Sequence, residues 1–238
     1  MLAVTRIVRS ATAIGAVAAS ARFDDGAPLP ELTRARATRA QVAARDVLGH
    51  HGVRLHVAGP QPRGAAIVVA NHLSYLDPLV VASLVRSIAI AKADVARWPI
   101  LGARLRELGV VFVRRGDAWS GAAALRGAAA ALEAGVCVLN FPEGTTTDGR
   151  TVLPFKRGIF GLARRLGVPV VPVRIAYDDP RACWVDDQAF VPHYAWLART
   201  AGIGANVRFG VPVAPDHDAA TFAERARRAV ASLHMPAH

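Results

Sequence analysis

From residue 67 onward the sequence alternates short runs rich in Val and Ile with longer stretches of helical character, and few folds accept that order. Residues 67–70, 88–91, 110–113, 136–141, 170–176 and 207–211 read as strands buried on both faces, because apolar residues follow one another almost without a break. Between them, residues 78–86, 120–134, 156–166 and 221–233 read as helices. Asp77 and Pro78 form an N-cap and first-turn pair, Ser120 is placed to cap the second helix, and Gly135 and Gly167 follow helix ends. The alternation predicts an α/β fold, a single domain with one mostly parallel sheet flanked by helices. In such a sheet binding sites gather beyond the carboxyl ends of the strands. That rule marks residues 71–77, 114–117 and 142–150.

A chain of 238 residues suits one such domain with a short appendage. Gly26-Ala27-Pro28-Leu29-Pro30 reads as a linker, dividing a leader over residues 1–30 from a domain over 31–238. Within the domain a basic helix spans 31–48, the motif-bearing core 49–213, and a C-terminal helix lies within 218–234. The leader holds Arg6 and Arg9 before an Ala-rich run too short to span a bilayer, and reads as a flexible or membrane-surface segment. The helix at 31–48 sets Arg34, Arg36, Arg39 and Arg45 beside Leu32, Val42, Val47 and Leu48. It reads equally as an ordinary solvated helix or as an interfacial helix whose arginines meet lipid phosphates.

Lys and Arg number 29 against 18 Asp and Glu, and the net charge of +11 favours an anionic partner, either a membrane surface or nucleic acid. No helix-turn-helix, zinc-finger or aromatic RNA-binding signature supports the second, so no nucleic acid is expected. Cys137 and Cys183 lack metal-ligand spacing and read as small buried hydrophobes, and no metal is expected. There is no phosphate loop and no GxGxxG between strand and helix. Gly202-Ile203-Gly204-Ala205 lies before a predicted strand, so no nucleotide cofactor is expected.

Four blocks carry chemistry. In Asn71-His72-Leu73-Ser74-Tyr75-Leu76-Asp77-Pro78, a His and an Asp stand five residues apart between a strand and a helix. A loop can fold the Asp77 carboxylate onto the imidazole Nδ1, leaving Nε2 to take a proton from an alcohol. With a thioester as acyl donor that alcohol attacks directly, and no serine or cysteine nucleophile is required. Arg114 and Arg115 follow a strand, where a guanidinium grips phosphate bidentately or simply meets solvent. The third block is Asn140-Phe141-Pro142-Glu143-Gly144-Thr145-Thr146-Thr147-Asp148-Gly149-Arg150, in which Gly144 permits close backbone approach and the three threonine hydroxyls suit an anionic headgroup. The fourth, Val168-Pro169-Val170-Val171-Pro172-Val173, reads as an edge strand or the wall of an acyl-chain groove.

In this order and spacing the four blocks resemble the glycerolipid acyltransferase family typified by bacterial 1-acyl-sn-glycerol-3-phosphate acyltransferase, over roughly residues 45–213. Trp98-Pro99-Ile100-Leu101-Gly102 is similar to a further stretch usual between the first two blocks. The resemblance implies His72 and Asp77 as the catalytic pair and Arg115 on the acceptor's phosphate. It also implies an acceptor site shaped by Glu143, Gly144 and Thr145. Ser74, Arg114, Thr146 and Lys156 are expected as auxiliary headgroup contacts. It further implies acyl carrier protein or coenzyme A as the thioester carrier, no other cofactor, and a lysolipid acceptor. The enzyme is then expected at the cytoplasmic face of the cell membrane, peripheral or weakly anchored.

In many members the residue after Gly-Thr in the third block is arginine, and Thr146 stands there in this chain. At that point, and from Cys183 to His193, the sequence resembles the lyso-ornithine lipid acyltransferases of the same family. Lysophosphatidic acid is therefore the first expected acceptor and lyso-ornithine lipid the second. A non-catalytic basic binding module is the alternative of a different class, and it leaves the clustering of His72, Asp77, Arg115 and Glu143 unexplained. A serine hydrolase would call for Gly-x-Ser-x-Gly, which is absent.

Overall fold

A computed structural model describes residues 5–6, 8–10, 12, 27–98, 101–114, 116–185 and 188–235. Most of the leader, Arg115, and Pro99 and Ile100 of the Trp98 stretch lie outside the described residues. Among the described residues seven strands form one sheet: β1 (Val53–Ala58), β2 (Ile67–Ala70), β3 (Ser87–Lys92), β4 (Val111–Val113), β5 (Cys137–Asn140), β6 (Val170–Tyr177) and β7 (Ile203–Phe209). Their spatial order is β1-β7-β6-β2-β5-β3-β4. Every neighbouring pair is parallel except β6 with β7. Among the described residues from 27 onward the α-helices are α1 (Leu29–His50), α2 (Asp77–Leu84), α3 (Leu101–Glu107), α4 (Ala118–Glu133), α5 (Gly158–Leu166), α6 (Phe190–Arg199) and α7 (Ala219–Ser232).

The unbroken apolar runs have a simple cause, because both faces of the sheet are covered. Along β2, Ile67 and Val69 enter one core with α4, α5 and α7, through Ala128, Phe160 and Phe222. Val68 and Ala70 enter the other with α2 and α6, through Val80, Val81 and Leu197. Every residue of β2 is fully buried. The strand is thus a rigid stem for the loop that leaves it at Asn71. Burial fits both cysteines, and it pushes the Cys183 thiol up to about 11, with Asp77 adding to the effect.

Several local expectations need correction. Leu76, not Asp77, is the N-cap of α2 and makes no side-chain cap, since the Asp77 carboxylate turns back to the loop. α4 is capped by Asp117, which accepts from the Ser120 N–H, while Ser120 Oγ accepts from the Arg114 N–H. Residues 168–173 do not form an edge. β6 lies inside the sheet between β2 and β7, and Pro172 is tolerated where the β7 pairing begins, accepting from the Gly210 N–H with no N–H to return. Gly202-Ile203-Gly204-Ala205 does not precede its strand, because β7 starts at Ile203. α1 packs Ala37, Ala43, Ala44, Val47 and Leu48 inward, and its Arg34 and Arg45 donate to Ala134 O and Ser83 O at the ends of α4 and α2.

His51, just after α1, is 2% exposed, and its Nε2 lies 3.2 Å from Ser10 Oγ and 3.1 Å from Tyr194 Oη. Burial first, then the charges of Arg6 and His50, holds the imidazole down at about 4. The unfolded chain therefore binds a proton before the folded one does. Stability from this residue is complete above about pH 6.5 and is lost as pH falls toward 4, by about 3 kcal/mol in all. Urea unfolding at pH 7 and pH 4.5 should show that loss, and His51→Gln should shrink it. An unchanged pH dependence in His51→Gln would assign the loss to other groups.

Candidate active site

β2 and β5 are parallel neighbours, so the loops at their carboxyl ends meet, and the first and third sequence blocks pack together. Asn71 turns the chain out of β2, its amide bridging both ways to the Ile175 backbone of β6 at 2.8 and 3.0 Å. His72 Nδ1 lies 2.8 Å from Asp77 Oδ2. The same oxygen accepts from the N–H groups of Leu73 and Ser74 at 2.6 and 2.9 Å. Asp77 Oδ1 accepts from the Tyr177 hydroxyl at 2.7 Å. Four donors thus surround a side chain with no exposure. A carboxylate can only accept at Nδ1, so the proton sits there and Nε2 keeps its lone pair. The His72 side chain is 20% exposed. Burial, with Asp77 beside it, pushes the Tyr177 phenol well above its ordinary value, so it remains a donor.

The imidazole is held on a second side by Phe141, stacked at 4.3 Å between ring centroids and 23° between planes. Its backbone is clamped as well. Glu143 Oε1 accepts from the His72 N–H at 2.8 Å, Glu143 Oε2 from the Leu153 N–H at 2.9 Å, and His72 O accepts from the Thr147 N–H at 2.8 Å. Glu143 is only 5% exposed. Burial pushes its carboxyl up, and the two amides pull against it. Its described hydrogen bonds are with backbone, the N–H groups of His72 and Leu153.

The other expected residues fall into two groups. Gly144 adopts φ 75°, and a Cβ there would stand 2.5 Å from Lys156 Nζ, so the lysine lies directly over the glycine. Thr145 is exposed and Thr146 half-buried beside them. Ser74 is fully buried and contributes its N–H to Asp77. Arg114 follows β4 at the sheet edge, with β3 intervening before β5, and it pairs with Asp117 at 3.4 Å while largely exposed. Among the described residues no group of three or more His, Cys, Asp or Glu could hold a metal ion. Tyr177 and Phe141 were not assigned roles from sequence. Phe141 stands within a quoted block, whereas Tyr177 lies a hundred residues from Asp77 with no local signal.

Residues 52–176 match the family model described as Acyltransferase. A lyso-ornithine lipid O-acyltransferase of Brucella abortus is 34% identical over 181 residues, covering 68% of this chain and 68% of that protein. A 1-acyl-sn-glycerol-3-phosphate acyltransferase of Neisseria meningitidis is 34% identical over 137 residues, covering 57% of this chain and 54% of its own. The crystal structure of the 1-acyl-sn-glycerophosphate acyltransferase PlsC from Thermotoga maritima has the same fold, with a TM-score of 0.67 at 23% identity over 96% of this chain and 93% of that one.

Proposed function

The chain belongs to the acyltransferase family, and from that premise we propose that it moves a fatty acyl group from a thioester to a lysolipid hydroxyl with His72 as general base. The carrying observation is the partly exposed imidazole of His72 fixed at Nδ1 by the buried Asp77 carboxylate. Nε2 takes the hydroxyl proton, and the freed oxygen attacks the thioester carbonyl. The C–S bond then breaks, and the imidazolium returns the proton to the leaving thiolate of acyl carrier protein or coenzyme A. Membership in an enzyme family removes the non-catalytic alternative.

Among acceptors, a lyso-ornithine lipid is favoured by Thr146 at the usual arginine position and by the several relatives of that name. The second reading, lysophosphatidic acid, rests on the ammonium of Lys156 over Gly144, a cation beside the acceptor loop. Either product is a two-chain lipid that stays in a bilayer, so the protein works at a membrane surface, to which its net charge of +11 draws it where lipids are anionic. Among the described residues no helix is long and apolar enough to cross a membrane, which fits peripheral attachment.

Offered both acceptors in detergent with a labelled acyl thioester, the purified protein should acylate the aminolipid at least about tenfold faster, a difference of about 1.4 kcal/mol in transition-state binding. Faster turnover of lysophosphatidic acid would reverse the assignment. In that case Lys156→Met should remove the preference.

A further inference from the structure

Tyr75 sits midway along the catalytic loop, and its side chain leaves the His72–Asp77 pair for α6 on the other side. Its hydroxyl lies 2.9 Å from His193 Nδ1. His193 Nε2 lies 2.9 Å from Arg181 O. A carbonyl oxygen only accepts, so Nε2 carries a proton, and with one proton on the ring Nδ1 is the acceptor to which the Tyr75 hydroxyl donates. Burial, with Tyr194 nearby, pushes the Tyr75 phenol up and keeps that proton in place. Edge contacts from Trp184, Phe190 and Tyr194, with centroids 5.8, 5.1 and 6.3 Å away, enclose the tyrosine ring. The Trp184 N–H, 2.7 Å from Leu73 O, ties the same loop to the same region.

We infer that Tyr75 and His193 are a positioning pair that holds the turn over residues 73–76 in the shape whose amides orient Asp77 and, through it, His72. The inference rests on the acyl-transfer reading above. Its physical basis is that Asp77 takes two of its four donors from Leu73 and Ser74, the residues just before Tyr75. A tyrosine free to swing would let that turn relax. His193 also lines an apolar cleft of about 390 Å³ with Cys183, Val185 and Trp196. A residue that merely walled this cleft would affect substrate binding, whereas a positioning residue affects the rate of the bound complex.

Steady-state kinetics separates the two on Tyr75→Phe, His193→Leu, the double variant and His193→Asn, well below the melting midpoint. Tyr75→Phe keeps the ring and its packing, so folding is preserved. The expected result is a fall in kcat of about three- to tenfold in each of the first two, with KM unchanged. The double variant should be no worse than either single one, because both remove the same bond. His193→Asn offers an oxygen near the Nδ1 position and should recover most of the rate. An unchanged kcat in Tyr75→Phe, a change confined to KM, or losses that multiply in the double variant would overturn the inference. If wild-type protein transfers no acyl group, or His72→Ala is as active as wild type, the underlying reading fails and takes this inference with it.

Discussion

Replacing His72 with alanine should lower acyl transfer by about 10²–10⁴-fold, the usual contribution of a positioned general base. The change should spare the fold. The side chain is partly exposed and its ring contacts are Asp77 and Phe141, while the bonds that bind this residue to Glu143 and Thr147 run through its backbone and survive the substitution. Transfer from a labelled thioester, followed beside a thermal melt, tests both halves. Loss of activity with a normal melt identifies the base. Activity within about threefold of wild type, with either acceptor, would mean that another group takes the proton.

Asp77→Asn should be nearly as severe in rate and worse for stability. The carboxylate accepts four hydrogen bonds, and the amide can accept at one end only. If its NH2 replaces Oδ2, it faces two backbone N–H groups and forces Nδ1 of His72 to become the acceptor, moving the imidazole proton to Nε2 where none can be taken up. A tautomer error of this kind in a Ser-His-Asp triad costs about 10⁴-fold. If it replaces Oδ1, it opposes the Tyr177 hydroxyl in a fully buried place, and a donor left unsatisfied there costs about 1–3 kcal/mol. Activity and the urea midpoint should therefore fall together, because in the second orientation too the neutral amide no longer offsets the charge of the imidazolium. A variant that loses stability but keeps its rate would make Asp77 a structural anchor only.

The parts of this molecule that could be read from its sequence are those with local causes. The five-residue spacing from His72 to Asp77 spans one loop, so their meeting at 2.8 Å needs nothing from elsewhere. Apolar runs announced six of the seven described strands, although β4, at the sheet edge, is only partly buried along its length. β1 did not, because Arg54 and His56 alternate along a largely exposed edge. Pairings across the sheet were out of reach. Tyr177 reaches Asp77 only because β6 lies beside β2, and Pro172 signalled an edge because its tolerance inside a sheet depends on where the neighbouring strand begins. Glu143 was legible as part of a block, but not the direction of its carboxylate, which turns inward to two amides. The short helices α3 and α6 went unnoticed, the second opening with Pro192 in its first turn.

The sheet order also bears on how the protein is made. Among the described strands β1 is made before the others, and its hydrogen-bonded neighbour there is β7, which is made after them. Val53 waits for Ile203, so one side of the sheet stays open through most of synthesis, and long-range pairing of this kind is slow to form. An open strand invites pairing with other nascent chains. The exposed Arg54 and His56 that hid β1 from the sequence pattern are what such a strand needs while it waits: a polar rim, charged at Arg54, that discourages a wrong neighbour until the right one arrives.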